Sequence, residues 1–277
     1  MDFGRRFVRG GQHFDESYPA PHHPVSTDPN YTFPMSEAMR LVVEDLGNRP
    51  YADAYQDQAH RHEEVLASRD GRQALGYILL VEHPPVVTIS RRASSKDHLL
   101  ATPALLASRG VEVCETDRGG DITYHGPGQL VAYPILDLNR LKLGIHAYMR
   151  LLEETVIRTL AAYAIAGQRD TTATGVWVDR AGTLAKVAAM GVRVRRWVSM
   201  HGLALNVAPR MEDFQLIVPC GLAGRPVTCM RDLLGSAPDM ASVKATLVSE
   251  LTGLIREAER AADAKVADAK NEATPLT

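Results

Sequence analysis

The stretch "RGGDITYHGPGQL", Arg118–Leu130, contains four glycines and a proline within thirteen residues, together with an arginine and a histidine. Glycine lets a backbone approach a ligand or another strand closely, because it has no Cβ atom. Two consecutive turns, "RGGD" and "HGPG", would account for the glycines alone. They would not require charged, aromatic and titratable side chains beside them. We therefore interpret the stretch as one wall of a pocket.

The same stretch does not match the common nucleotide-binding loops. It lacks the GxxxxGK[ST] pattern that cradles phosphates. It also does not form a GxGxxG turn, because Gly126 and Gly128 lead through Gln129 into a strand rather than a helix. The glycines predict close approach by a group other than a nucleotide phosphate.

Length, composition and charge restrict the class of protein. The chain has 277 residues, of which 45% are apolar, so it can form a substantial core. Its net charge of −2 provides no basic field for nucleic acid or an anionic membrane. No apolar run approaches the roughly 20 residues that span a bilayer, and the first residues lack the apolar segment of a secretory signal. We expect a soluble, cytoplasmic protein.

The cysteines and histidines do not predict a metal centre. The three cysteines are Cys114, Cys220 and Cys229, and no two of them have CxxC spacing. A disulfide framework or a thiolate zinc site is therefore not expected. The segment "HRHEE", His60–Glu64, is interpreted as the solvated face of a helix. We expect neither a metal nor a cofactor.

Apolar periodicity predicts one α/β domain with a mixed, largely antiparallel sheet flanked by helices. Residues 1–36 are rich in proline and polar residues and predict a flexible extension, 37–262 the folded domain, and 263–277 a helix end with a frayed tail. We expect strands over 41–47, 74–83, 111–116 and 130–138, with "PVVTIS" pairing beside the second of these. Helices are expected over 51–69, 102–110, 145–167 and 240–270. Four β-prone runs, "GVWVD", "TLAKVAAMG", "VRVRRWVSM" and "LALNV", predict an antiparallel meander broken at "RAG", Gly191 and His201-Gly202.

Two residues are candidates for chemistry. Cys220, in "QLIVPCGLAG", leaves a strand through Pro219 and meets Gly221, so a reacting group could approach its thiol. A buried, inert cysteine remains the alternative.

Strand alternation places Lys186 on one face with Leu184 and Ala188, where partial burial would disfavour the charged amine and allow proton exchange. A lysine extending to solvent at a sheet margin is the alternative.

Five motifs in this order resemble one family. "RGGDITYHGPGQLVAYP", "LVEHPPVVTIS", "LAKVAAMGVRV", "MHGLALNV" and "IVPCGL" are similar to the signatures of the octanoyltransferases of lipoate biosynthesis, also called lipoate-protein ligase B. The resemblance extends from about Leu41 to Leu234. Ser90 departs from the glycine that is usual in the family, which affects only the local loop.

The resemblance implies a fold, a site and a reaction. The fold would be that of the biotin and lipoate protein ligases. Cys220 would be the nucleophile that carries the octanoyl group as a thioester, and Lys186 would be the acid/base that favours its thiolate. The implied substrate-binding residues are Arg118, Gly119, Gly120, Asp121, Ile122, Thr123, Tyr124, His125, Ala189, Met190, Gly191, Gly202, Leu203 and Ala204.

The implied donor is octanoyl-acyl carrier protein. The implied acceptors are the lipoyl domains of 2-oxoacid dehydrogenase E2 subunits and the glycine cleavage H protein. Transfer between thioesters and then to an amine needs no nucleotide, which fits the missing phosphate loop. Three alternatives remain at this point: an ATP-dependent lipoate or biotin ligase of the same fold, a cysteine hydrolase, and a non-catalytic scaffold that binds lipoyl domains.

Overall fold

A computed structural model describes residues 38–70, 73–219 and 224–272 of the chain. The predicted extension, 1–36, the last five residues and Cys220 lie outside these ranges. The described strands are β1 (Arg40–Asn48), β2 (Leu75–Glu82), β3 (Val86–Ser90), β4 (Glu112–Thr116), β5 (Thr123–His125), β6 (Gln129–Ile135), β7 (Gly167–Arg169), β8 (Val176–Arg180), β9 (Thr183–Arg195) and β10 (Val198–Asn206). The helices are α1 (Tyr51–Ala67), α2 (Pro103–Arg109), α3 (Ile145–Ala161), α4 (Met230–Leu234) and α5 (Met240–Glu272).

A seven-stranded sheet forms the centre of the described structure, in the order β1-β2-β6-β10-β9-β8-β7. β1 and β2 are parallel and are connected through α1, whereas the other neighbouring pairs are antiparallel. The predicted mixed, largely antiparallel sheet flanked by helices is confirmed.

Each face of this sheet is covered differently. Helices α3 and α5 pack on one face through buried side chains such as Leu152, Val156, Leu247 and Leu251. On the opposite face, α1 packs on β2, β6 and β10, through Ala54, Val65 and Leu66. The remaining part of that face, over the central residues of β9, is available for a pocket.

The strand β3 does not pair with β2, so that expectation was wrong. β1 and β6 occupy both edges of β2, which leaves no edge for another strand. Instead, β3 joins a three-stranded sheet in the order β4-β3-β5, with Pro84 and Pro85 at the turn that redirects the chain. The glycine-rich stretch begins after β4 and includes β5, so this small sheet carries it.

Helix α3 ends at Ala161, earlier than the predicted 167. The chain turns at Ala164, whose φ of +56° lies in the left-handed region. Gly167 instead opens β7, where a Cβ atom would come within 2.9 Å of Leu160. Close packing of β7 on α3 therefore requires the glycine that the sequence analysis placed at the helix end.

The antiparallel meander and its predicted break at "RAG", between β8 and β9, are confirmed, but the predicted breaks at Gly191 and His201-Gly202 were wrong. β9 continues through Gly191, and β10 continues through His201 and Gly202. Gly191 pairs directly with Gly202 in the sheet register. Glycine inside a strand often marks the close approach of another backbone rather than a strand end. These two glycines form a depression where the strands would otherwise carry side chains.

No helix in the described ranges combines the length and apolar character needed to cross a bilayer.

Glu259 connects α5 to the start of the described chain and provides a test of stability. The side chain is 4% exposed. Its Oε1 accepts hydrogen bonds from Met39 N at 2.6 Å and Arg140 Nη2 at 3.1 Å, and its Oε2 accepts one from Arg256 at 2.7 Å. Burial raises the pKa of the carboxyl, but these bonds outweigh it and hold the pKa below its ordinary value.

Glu259→Gln should lower the free energy of unfolding at pH 7 by about 1–3 kcal/mol, the usual range for hydrogen bonds to a charged group. The Glu259 contribution is complete above the ordinary glutamate pKa, about 4.3, and disappears as the pH falls through the lower folded-state value. Urea denaturation should therefore show a difference at pH 7 that shrinks in acid. Glu257→Gln, at an exposed ion pair on the same helix, is the control. An equal loss in both variants would contradict the assignment.

Candidate active site

A cavity of about 220 Å³ lies between the small sheet and strands β6, β9 and β10. Thirteen of the sequence-predicted site residues line it together. From the glycine-rich stretch these are Arg118, Gly120, Asp121, Ile122, Thr123 and His125, and from β9 and β10 they are Lys186, Ala189, Met190, Gly191, Gly202, Leu203 and Ala204. Residues up to 86 positions apart are thus brought to one cavity.

Two members of the predicted set lie outside the cavity lining. Gly119 donates its N–H to Val192 O at 2.9 Å and so attaches the glycine-rich stretch to β9. Tyr124 is directed away from the cavity, and its hydroxyl donates to Asp213 Oδ2 at 2.8 Å. Because Asp213 also pairs with Arg109 and Arg210, Tyr124 connects the pocket wall to the segment that precedes Pro219.

Lys186 is 6% exposed and its side chain lines the cavity. Its Nζ donates to Thr174 O at 3.0 Å and lies 4.7 Å from the ring centroid of Trp177. A cation beside an aromatic face gains about 2 kcal/mol when both groups are desolvated. The lysine is therefore held inside the protein and does not extend to solvent.

A β-bulge sets the direction of the Lys186 side chain. Trp177 of β8 pairs with Lys186, but the preceding Val176 pairs with Ala188, so Val187 is an extra residue in β9. Val187 and Ala188 both join the core beneath α3 and α5. The prediction that Ala188 shares a face with Lys186 was therefore wrong, because simple alternation does not continue through a bulge.

The segment 170–175, which we call the lysine loop, encloses Lys186 on one side. Thr172, Ala173 and Thr174 line the cavity. A Cβ atom on Gly175 would lie 2.8 Å from Ala188 O and 3.1 Å from Lys186 Cε, so only glycine allows this approach. The sequence patterns did not predict this loop as part of the site. Its only signal is a glycine that follows a polar run, and that pattern is typical of many surface turns.

A cluster of buried rings lies beside the cavity, and Tyr51 and His125 of this cluster line it. His83 and His125 lie 5.6 Å apart between ring centroids, and Tyr51 stacks on His125 at 6.1 Å. Burial lowers the pKa of His83 to about 4 and that of His125 to about 3. Both imidazoles are therefore neutral at pH 7. His125 lines the cavity, whereas His83 lies outside the lining, with its Nε2 2.8 Å from the Tyr133 hydroxyl.

His201 is the second histidine that lines the cavity, and its backbone φ of +58° lies in the left-handed region, which is uncommon outside glycine. Its backbone N–H donates to Gln58 Oε1 at 2.7 Å, and its Nε2 lies 3.1 Å from Asp117 Oδ1. Burial opposes ionisation of Asp117, but hydrogen bonds from His201 and Tyr55 lower the pKa of this carboxyl to about 2. The carboxylate therefore accepts a hydrogen bond from the Nε2–H group of His201 and orients the ring.

Cys220 stays a prediction, since it lies outside the described residues, but both flanks of its segment are described. Before it, Val218 N donates to His98 O at 2.8 Å, and His98 contacts the cavity residue Asp121. After it, Pro226 O accepts a bond from Lys186 N at 2.9 Å, and Thr228 N donates to Lys186 O at 2.9 Å. The described chain therefore approaches the cavity on both sides of Cys220.

Among the described residues, no cluster of three or more His, Cys, Asp or Glu side chains is arranged to hold a metal ion. Of the other cysteines, Cys229 is fully buried and Cys114 is partly buried. Burial raises the pKa of the Cys114 thiol to about 12, which opposes thiolate formation there.

Comparison with known proteins identifies the family. The model of the lipoyl protein ligase A/B catalytic domain matches residues 54–252. The octanoyltransferase of Chloroflexus aggregans is 46% identical over 215 residues, which cover 77% of this chain and 94% of that protein. That of Flavobacterium johnsoniae is 42% identical over 229 residues, covering 79% and 98%. The chain belongs to the octanoyltransferase family. The family is one of acyltransferases, so the resemblance seen in the motifs and the enzyme class are confirmed.

Solved structures of low sequence identity show the fold of this octanoyltransferase family member. A bipartite lipoate protein ligase from Thermoplasma acidophilum superposes with a TM-score of 0.62 at 14% identity, covering 83% of this chain and 93% of that chain. Lipoate-protein ligase A bound with ATP gives a TM-score of 0.59 at 13% identity, with 84% and 95% covered. The predicted lipoate ligase fold is confirmed.

Gly191→Ala tests the close approach of the glycine-rich stretch to β9. A Cβ atom on Gly191 would lie 2.7 Å from Gly119 O, so one backbone must move. We expect a loss of about 1–3 kcal/mol in stability, typical of overpacking, and at least a tenfold loss of acyl transfer. Gly253→Ala is the matched control, because a Cβ atom there meets no atom within 4 Å. Wild-type turnover of Gly191→Ala would show that the contact does not shape the cavity.

Proposed function

We propose that this protein moves an octanoyl group from octanoyl-acyl carrier protein to Cys220, and then to a lysine of a lipoyl domain. The single observation that carries this mechanism is the placement of Lys186, which is buried at the cavity and hydrogen-bonded to the segment that follows Cys220. The family supports octanoyl transfer in protein lipoylation. We assign the activity to the predicted domain, residues 37–262.

The cavity suits an acyl chain. Its wall combines backbone at Gly120, Gly191 and Gly202 with apolar side chains such as Leu203 and Val131. Removing each methylene from water stabilises binding by about 0.8 kcal/mol. The neutral histidines add polar surface without a charge that would oppose burial of the chain. An extended octanoyl tail along the glycine wall is the arrangement that this lining favours.

In the first half-reaction, the Cys220 thiolate attacks the thioester carbonyl of the donor. A free cysteine is only a few per cent thiolate at neutral pH, so an amine that accepts its proton increases the attacking species. Lys186 accepts that proton. The new bond joins the Cys220 sulfur to the acyl carbon. The bond to the pantetheine sulfur breaks, and Lys186 returns the proton to the leaving thiolate.

In the second half-reaction, the amine of the acceptor lysine attacks the acyl-Cys220 carbonyl. Lys186 takes a proton from the attacking nitrogen and gives it to the departing Cys220 sulfur. The products are an amide and a free thiol, so the cycle closes without a nucleotide. The acceptors are lipoyl domains, for which we propose those of 2-oxoacid dehydrogenase E2 subunits and the glycine cleavage H protein.

Cys220→Ala tests the nucleophile. Incubation of wild-type protein with octanoyl-acyl carrier protein, without ATP, should add the mass of one octanoyl group to the intact chain. The variant should fold and show no added mass. Cys114→Ala is the matched control, and it should acquire the group at the wild-type rate. An acylated Cys220→Ala variant, or a wild-type reaction that requires ATP, would contradict the proposed mechanism and favour ligase chemistry.

Lys186→Met tests the acid/base role with a side chain of similar length. We expect the single-turnover rate of acyl-enzyme formation at pH 7 to fall about 10²–10⁴-fold, the usual contribution of a positioned acid/base group. Donor binding should change little, because the aliphatic part of the side chain is kept. Stopped-time mass spectrometry measures the rate. Near-normal acylation would remove Lys186 from the mechanism.

A further inference from the structure

Arg225 lies on the same indole ring as Lys186. Its guanidinium carbon is 3.8 Å from the ring centroid of Trp177, and Lys186 Nζ is 4.7 Å from the same centroid. Trp177 is fully buried, and its Nε1 donates to Ala173 O at 3.2 Å. One rigid aromatic ring therefore contacts both cations and also the lysine loop.

The second contact of Arg225 is with the lysine loop itself. The guanidinium forms an ion pair with Asp170, and its Nη1 donates to Thr172 Oγ1 at 3.1 Å. Asp170 Oδ1 in turn accepts bonds from Thr172 N and Thr172 Oγ1, both at 2.7 Å. The hydrogen bond from Arg225 holds the pKa of Asp170 well below its ordinary value, so the pair is charged throughout the neutral range.

The far end of the lysine loop is fixed from the opposite side. Gly175 N donates to Glu153 Oε1 at 3.1 Å, and Glu153 is 1% exposed. Arg150 and Arg169 bind the other oxygen of Glu153 at 2.6 and 3.2 Å. The loop is thus attached at both ends, and Thr174 O, which accepts from Lys186 Nζ, lies between the two attachments.

We propose that Arg225 is a positioning residue, which holds the lysine loop and the Trp177 ring so that the Lys186 amine stays at its place in the cavity. This inference rests on the acid/base role proposed for Lys186. A lysine side chain has four rotatable bonds, and ordering it costs up to about 2 kcal/mol. Displacing a proton-transfer group by about 1 Å can reduce a rate about a hundredfold. A fixed carbonyl and a fixed ring supply that order before substrate binds.

The test compares Arg225→Met, which removes the ion pair and the guanidinium, with Arg225→Lys, which keeps a charge that can reach Asp170. We expect Arg225→Met to slow acyl-enzyme formation at least tenfold. The donor concentration that gives half the maximal rate should stay within twofold of the wild-type value. Arg225→Lys should form the acyl-enzyme faster than Arg225→Met, because its ammonium can still pair with Asp170. Asp170→Asn, a nearly isosteric change in the loop, should slow the reaction about three- to tenfold. Arg231→Met, at an exposed ion pair with Asp232, is the control and should remain within twofold of wild type.

A second measurement reads the position of Lys186 without octanoyl chemistry. Brief treatment with acetic anhydride followed by peptide mass spectrometry should find Lys186 protected in wild type and modified several-fold faster in Arg225→Met. Unchanged labelling together with an unchanged acylation rate would overturn the inference. Faster labelling with no acylation of Cys220 in the wild-type protein would instead refute the proposed function and leave the positioning contact in place.

Discussion

The contact between the glycine-rich stretch and strand β9 is the constraint on which the site depends. Gly119 N donates to Val192 O, and the absence of a side chain at Gly191 lets Gly119 O approach the strand. This contact sets the distance between the small sheet and the central sheet. A larger residue at either position would push the two walls of the cavity apart. If the two walls lay closer together than they do, no volume would remain for an acyl chain.

Placing an amine within that cavity has a cost that the structure offsets locally. Removing a lysine from water is unfavourable unless the ammonium finds hydrogen-bond acceptors or an aromatic face. Thr174 O and the Trp177 ring supply both for Lys186. The carbonyl and the ring are uncharged groups, and they order the amine at the cavity. An ordered amine suits the acid/base role proposed for Lys186.

The histidines at the cavity are also ordered by hydrogen bonds. His125 is held by Gln129 Oε1 at 2.7 Å, and His201 is held by Asp117. Neutral rings satisfy hydrogen bonds without placing a charge beside an apolar ligand. The carboxylate that holds His201, Asp117, is also bound by Arg193 and Tyr55, so its charge is compensated by a guanidinium.

Most elements could be predicted from the sequence, because local signals agree with the final structure. Amphipathic periodicity located α3 and α5, and Thr102 with Pro103 marked the start of α2, where Thr102 Oγ1 accepts from Leu105 N. Three of the errors share one cause. The position of β3, the length of β9 and the face of Ala188 were decided by neighbours that are remote in sequence: the occupied edges of β2, the pairing of Gly191 with Gly202, and a bulge opposite Trp177.

The sequence by itself determined the chemistry that is available: a lysine among small apolar residues, a cysteine beside a proline and a glycine, and a glycine-rich wall, in an order that identifies the family. Only the tertiary structure decided which groups surround the lysine. Thr174 and Trp177 contact Lys186, and Arg225 contacts the Trp177 ring, although Arg225 lies 39 positions from Lys186 in the chain. The physical reason is that hydrogen bonds and cation–aromatic contacts depend on distances of a few ångströms, which sheet register and loop closure set and local sequence patterns do not encode.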